Sequence, residues 1–401
     1  MDQDTHPSLT ELARVFLKLG CVSFGGPIAH LGYLRAELVE KREWLDDSHY
    51  ADLVALCQFL PGPSSSQVVF ALGMHRAGLA GALIASVCFT LPSALLMIGF
   101  AYGVATVGSL QRAGWLHGLK LAAVAVVAQA VWGMARKLCT DRARVTLCLV
   151  SAAILLTVSR AFVQIGVIAM GAVVGYLLYR GTVPESTQRT EPTDKRSHGW
   201  AALALAVCAG LLGLLPALAR TTGLRSIALL DAFYRAGALV FGGGHVVLPL
   251  LRAEVVPRGW LSNDVFLAGY GAAQALPGPL FAFAAYVGAA TSPGPRAWVT
   301  GLGCLFAIFL PAWLLIGGAL PFWQRLRSRP WAQAALAGAN ASVVGVLLAA
   351  LYHPVFTEGV RDRRDVVAGL LAFGLLEHWK APPWGVVLAM AAAGQWVLTA
   401  G

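Results

Sequence analysis

The sequence predicts an all-α polytopic membrane protein, built from two homologous halves mounted as an inverted repeat. About 10 to 13 transmembrane or re-entrant helices are expected, some of them broken by proline and glycine. Three observations predict this. Hydrophobic residues make up 57% of the 401 residues and charged residues only 12%, against roughly 25% charged in soluble proteins. The charges are clumped, which leaves apolar runs of about 18 or more residues, long enough to cross a bilayer as helices. One long motif also occurs twice. Its first copy is Phe24-Gly25-Gly26-Pro27, Leu34-Arg35-Ala36-Glu37, Trp44-Leu45 and Gln58-Phe59-Leu60-Pro61-Gly62-Pro63. Its second is Phe241-Gly242-Gly243-Gly244, Leu251-Arg252-Ala253-Glu254, Trp260-Leu261 and Gln274-Ala275-Leu276-Pro277-Gly278-Pro279. The offset is 217 residues up to the Glu and 216 from the Trp onward.

Taken in order, residues 1 to 7 are polar and lack the basic start and apolar run of a cleaved signal peptide. Residues 9 to 23 carry Arg14 and Lys18 on one helical face and read as partly interfacial. Residues 31 to 50 read as a polar connection. Apolar segments come next at about 51–74, 79–105, 117–136, 145–160 and 162–180. Residues 181–199 form a polar linker that ends the first half, 1–180. An extra apolar segment at 200–226 has no counterpart in the first half. The second half, 227–401, gives segments at about 227–250, 265–290, 297–322, 333–353, 364–378 and 383–400. Leu91-Pro92 matches Leu310-Pro311, and Gly118 and Lys120 match Gly338 and Asn340. Corresponding segments lie an odd number apart, which places the two copies in opposite orientations. Basic loops at 136–144, 180–196 and 325–329 favour a cytoplasmic N-terminus, whereas Arg361, Arg363 and Arg364 fall on the other side.

The net charge of +10 sits mainly in short loops, where it sets orientation in a lipid bilayer and gives no reason to invoke nucleic acid. Seven cysteines, with no Cys-x-x-Cys pair, read as small hydrophobes, not as disulfides or a metal site. No catalytic or cofactor motif is present: there is no His-Glu-x-x-His and no Gly-x-Ser-x-Gly elbow.

With its paired Phe-Gly-Gly and Leu-Pro-Gly-Pro motifs, the sequence resembles the chromate transporter family in its long, two-domain form. The likeness covers nearly the whole chain. It implies export of chromate from the cytoplasm through the cell (inner) membrane, driven by the proton or membrane potential, and hence chromate resistance. Sulfate is implied as a substrate or competitor, and a transporter of sulfate or another oxyanion is the alternative. Oligomeric state, including a homodimer, is left open.

The residues themselves support anion chemistry. Pro61-Gly62-Pro63 and Pro277-Gly278-Pro279 break their helices, because proline lacks an N–H and clashes with the preceding turn. A helix restarting at Ser64, Ser65 and Ser66 offers free N–H groups to an anion. The second copy offers Leu280, Phe281 and Ala282 instead, so the hydroxyls lie on one side only. The alternative is a structural kink. Gly25, Gly26, Gly242 and Gly243 permit close approach, for a ligand or for helix packing. Arg35 and Arg252 carry forked donors that suit oxyanions. Glu37 and Glu254, two residues on, do not face their own Arg on a helix. Arg35 with Glu254, and Arg252 with Glu37, are open as gate-closing pairs, and solvated loop charges are the alternative. Lys120 either snorkels or meets substrate, and Asn340 needs a polar partner. Gln58 and Gln274 sit three residues before the first proline of each break. His30 and His245 lie near the Gly-rich turns without aligning, and a lone histidine is more often structural. A membrane-embedded enzyme and a passive pore are the competing classes.

Overall fold

The computed structural model describes residues 8–24, 26–106, 114–158, 161–179, 195–241, 244–292, 294–322 and 329–396. All elements among them are helical. The residues before Ser8 and most of the expected linker lie outside this range.

Helix α1 (Leu9–Val22) starts at Ser8, whose hydroxyl accepts the Glu11 N–H. It buries Leu12, Val15, Phe16 and Leu19, spaced three or four apart, against α4. Helix α2 (Gly26–Arg35) continues through a wider π turn, Ala36–Lys41. Much of the expected polar connection is therefore helix. Helix α3 (Asp47–Phe59) is capped by Asp46, which accepts the His49 N–H.

The apolar run 51–74 is divided at the expected Pro61-Gly62-Pro63 break and belongs to two elements. The chain breaks at 61–63 and restarts as α4 (Ser64–Thr106), which is itself interrupted at Ala77 and Gly78, the latter at φ +60°. Gly73 and Gly81 would stand about 12 Å apart in a straight helix. Here a Cβ added to either would strike the other's carbonyl, so the chain doubles back. The short arm, 64–76, reaches about 20 Å, less than the roughly 30 Å of a hydrocarbon core.

Helices α5 (Gly114–Leu138), α6 (Arg142–Thr157) and α7 (Ala161–Tyr179) complete the first half. The extra helix α8 (Lys195–Thr222) packs on α9 (Arg225–Ala238), where the Tyr234 hydroxyl donates to the Cys208 carbonyl at 2.9 Å. A 3₁₀ turn, Gly244–Val246, leads into α10 (Val247–Val255), and α11 (Asn263–Ala275) comes next. After the second break, a 3₁₀ turn at Leu280–Ala282 leads into α12 (Phe283–Thr291) and α13 (Ala297–Ala319). Helix α14 (Pro330–Ala350) runs on through a π turn, and α15 (Arg363–Glu377) and α16 (Pro383–Trp396) close the chain. The expected segments 227–250 and 265–290 are each divided at their glycine- or proline-rich stretch.

The halves interlock. Helices α6 and α7 of the first half pack on α14 of the second, and α15 and α16 pack on α5. The matched Gly118 and Gly338 sit at the two equivalent crossings. A Cβ on Gly118 would strike the Met390 carbonyl of α16, and one on Gly338 would strike the Gly171 carbonyl of α7. Small residues let membrane helices approach this closely. The reciprocal contacts relate the halves by a pseudo-twofold.

Five helical stretches among the described residues are long and apolar enough to cross a membrane: 64–104, by its long arm after Gly78, 114–138, 199–222, 297–322 and 330–353. Large apolar side chains such as Leu95, Leu96, Val173, Val299, Leu370 and Leu371 are exposed on the surface, as a lipid-facing belt requires. The protein is a multi-pass membrane protein.

Gly118→Ala and Gly338→Ala are each expected to cost about 1–3 kcal/mol by overpacking. Both should lower the thermal unfolding midpoint in detergent. Gly133→Ala on the same α5, with open space around it, should leave that midpoint unchanged.

Candidate functional site

A glycine between two prolines keeps its own N–H but has prolines, which have none, on either side. In lipid that donor needs a protein partner. Gly62 donates to the Val240 carbonyl at 2.7 Å, and Gly278 donates to the Ser23 carbonyl at 2.8 Å. Val240 and Ser23 immediately precede Phe241 and Phe24. Each break is thus strapped to the Phe-Gly-Gly approach of the opposite half. Both glycines have left-handed backbone, φ +127° at Gly62 and +90° at Gly278, which other residues rarely adopt. A Cβ on Gly278 would lie 2.8 Å from Ser93 Oγ, and one on Gly62 would lie 2.7 Å from Gln67 Nε2 and 3.3 Å from the Ala312 Cβ. Gly26, at φ +78°, opens α2 just ahead of Pro27, and Phe24 rests on Trp384. Gly25, Gly242 and Gly243 lie outside the described residues.

The two breaks open onto different side chains. After Pro63, the first turn of α4 carries Ser64, Ser65 and Ser66, the last two buried. Gln67 Nε2 donates to the Pro61 carbonyl at 2.8 Å and braces the break. His30 Nδ1 lies 3.3 Å from Ser65 Oγ. The Ser23 carbonyl lies near the same ring, and Phe89 meets it edge-on. After Pro279 the matching residues are apolar and buried, and Phe283 packs with Phe266, Tyr270 and Tyr286. There the Tyr270 hydroxyl pairs with His245 Nδ1 at 2.8 Å. Gln58 is exposed and Gln274 is half-buried beside Tyr270.

The motif charges pair within their own halves. Arg35 engages Glu40 and Asp47, with Nε 2.7 Å from Asp47 Oδ1. Arg252 Nε donates to the matching Asn263 Oδ1, also at 2.7 Å. Glu37 takes Lys18, Lys41 and Arg42, and Glu254 takes Arg235 and Arg258. The cross-pairs Arg35–Glu254 and Arg252–Glu37 are therefore not formed. The reason is local: the π turn at 36–41 carries Glu37, and the last turn of α10 carries Glu254, toward the opening helix of its own half. Arg42 and Arg258 also lie over the matched Trp44 and Trp260. These are clips that fasten α1 to α2 and α9 to α10. Lys120 spans both settings: its stem is interior while its ammonium meets an exposed carboxylate. It is buried on α5 and reaches Asp264 of the other half, Nζ to Oδ1 2.8 Å. Its match Asn340 is half-buried on α14.

A family model described as the chromate transporter matches residues 10–176 and again 227–395. The chain belongs to the chromate transporter family. The two matched units bracket α8. Similar proteins include the "Probable chromate transport protein" of Synechococcus elongatus, 29% identical, covering 94% of this chain and 91% of that protein. The "Chromate transport protein" of Pseudomonas aeruginosa is 30% identical, over 96% and 91%. That of Cupriavidus metallidurans is 27% identical, over 91% and 86%. No solved structure matches the chain.

Several residues of the two family units escaped sequence reasoning. Arg235 was visible as the match of Lys18 at the 217 offset. Asp264 and the buried pair His117 Nε2–Asp365 Oδ1, 2.9 Å apart across the halves, had no local signal.

Burial raises the Glu37 pKa, but the Arg42 hydrogen bond and the charges of Lys18 and Lys41 outweigh it and hold the carboxyl below its ordinary value. A lowered carboxyl contributes stability above its unfolded value and loses it as pH falls through the folded one. The gap in unfolding midpoint between wild type and Glu37→Gln should therefore be present at neutral pH and shrink as pH drops below 4.5.

Proposed function

We propose that the protein is a secondary-active transporter that exports chromate from the cytoplasm across the cell's inner membrane and confers chromate resistance. Its N-terminus is cytoplasmic, the halves are oppositely oriented, and sulfate competes for the same site. It acts as a carrier, not an enzyme, in keeping with relatives named as transport proteins.

The observation that carries this reading is the reciprocal strap, Gly62 to Val240 and Gly278 to Ser23. Helix breaks at the interface of two repeats are where transporters of this architecture hold their solutes. The restart at Ser64, Ser65 and Ser66 presents N–H groups and hydroxyls suited to a tetrahedral oxyanion. The clips at Glu37 and Glu254, with Arg35 and Arg252 fixed to the starts of α3 and α11, keep the opening of each half rigid. Because the halves exchange their end helices, the units that move about the straps are these clipped openings rather than whole halves, and Lys120–Asp264 tethers one of them to α5.

Inverted vesicles should accumulate chromate only under an imposed gradient, with sulfate competing and an ionophore abolishing uptake. Gly62→Ala and Gly278→Ala should each reduce that uptake by roughly tenfold or more, because left-handed backbone and strap are lost together. Gradient-independent equilibration would favour a pore. Gradient-driven uptake of sulfate that chromate does not inhibit would favour a sulfate carrier.

A further inference from the structure

The repeat builds two breaks, but matched positions around them have opposite chemistry. Ser23 stands against Val240, His30 against Val247, Ser65 against Phe281, Ser66 against Ala282 and Gln67 against Phe283. All ten are buried, with no more than 3% of any surface exposed. Both settings are therefore interior, and burial does not explain the difference.

The first-half set is also incompletely satisfied. Ser23 Oγ, His30 Nε2, Ser66 Oγ and Gln67 Oε1 are buried without a partner among the described residues. Interior polar atoms are ordinarily paired. Here four such atoms gather where a helix restarts and its N–H groups are free. A run of contacts joins Ser65, His30 and Ser23 to the second break. Ser65 Oγ meets His30, the Ser23 carbonyl lies near that ring and accepts the Gly278 N–H, and Gly278 abuts Ser93. The cluster therefore touches both breaks. At the five matched second-half positions there are no polar side-chain atoms, and Phe283 packs there with aromatic neighbours; the polar groups near that break are the paired His245 Nδ1 and Tyr270 hydroxyl and a single amide unpartnered among the described residues, Gln274 Nε2.

We infer that the chain holds a single oxyanion pocket, built by the first half from His30, Ser65, Ser66 and the start of α4, with Ser23 and Gln67 in its wall. The second-half break is an apolar counterpart that binds nothing and supplies, through Gly278, only the strap that closes the pocket. The donors are hydroxyls, backbone N–H groups and an imidazole. They recognise the shape and lone pairs of a tetrahedral oxyanion through hydrogen bonds rather than through a fixed cation. This deepens the transport reading above and rests on it for the choice of chromate as ligand.

The test is equilibrium binding of tracer sulfate, and of chromate by absorbance, to the full chain in detergent. One anion per chain is expected. His30→Gln and Ser66→Ala should each weaken binding by roughly tenfold, the loss of one hydrogen bond to a charged group. Val247→Thr, at the matched position, should leave affinity and stoichiometry unchanged. Unaltered thermal midpoints show that the first-half variants still fold. Two anions per chain, an equal loss from Val247→Thr, or full affinity in both first-half variants would overturn the inference. The two readings fail separately. One bound sulfate that depends on His30, in vesicles that never accumulate chromate, defeats the transport reading alone. Gradient-driven chromate uptake that survives His30→Gln and Ser66→Ala defeats the pocket alone.

Discussion

The structure depends on two backbone donors that must be satisfied where water is scarce. An unpaired N–H in a hydrocarbon setting costs several kcal/mol, and neither Pro-Gly-Pro segment can answer that need within its own helix. Each half supplies the missing acceptor for the other, from the residue that ends α1 or lies just past α9. Those acceptors are held in place by a second pair of matched glycines. Gly20 lies against the Phe89 carbonyl of α4, and Gly237 lies against the Ile308 carbonyl of α13. Without a side chain at either position, the opening helix of each half can press onto its long neighbour and aim its terminal carbonyl across the interface.

Around this frame, symmetry and asymmetry divide the labour. The elements that set geometry are duplicated: the prolines, the strapped glycines, the Glu clips, the tryptophans under arginine and the glycine crossings. The side chains that fill the frame are not, being polar beside the first break and aromatic beside the second. A twofold scaffold with unequal contents can rock about one centre while offering chemistry on one side of it. Among the described residues the ion pairs form clips within one half, apart from Lys120–Asp264 and His117–Asp365, which span the halves, as does the Gln129 amide that donates to Glu377.

What could be read from the chain was what is local. Proline chemistry, run length and a duplicated motif gave the helical membrane class, the two breaks and the one-sided hydroxyls. The match of Gly118 to Gly338 was visible as an alignment, and its meaning as paired crossings came only with the fold. The pairing of Arg35 and Glu37 was not legible, because it depends on helix persisting to Lys41 through residues that read as a polar connection. The gap between the expected segments 51–74 and 79–105 holds Ala77 and Gly78, where the chain doubles back, but the closeness of the two arms at Gly73 and Gly81 was not legible. Lys120 meeting Asp264 lies beyond any local rule, since 144 residues separate them.

The exchange of end helices has a consequence for how such a chain is made. Helix α5 leaves the ribosome well before α15 and α16, whose surface covers it. Until that hairpin is made, the Gly118 groove lies against lipid. Arrival of the hairpin therefore covers α5, so this interface forms long after the helix itself has been inserted.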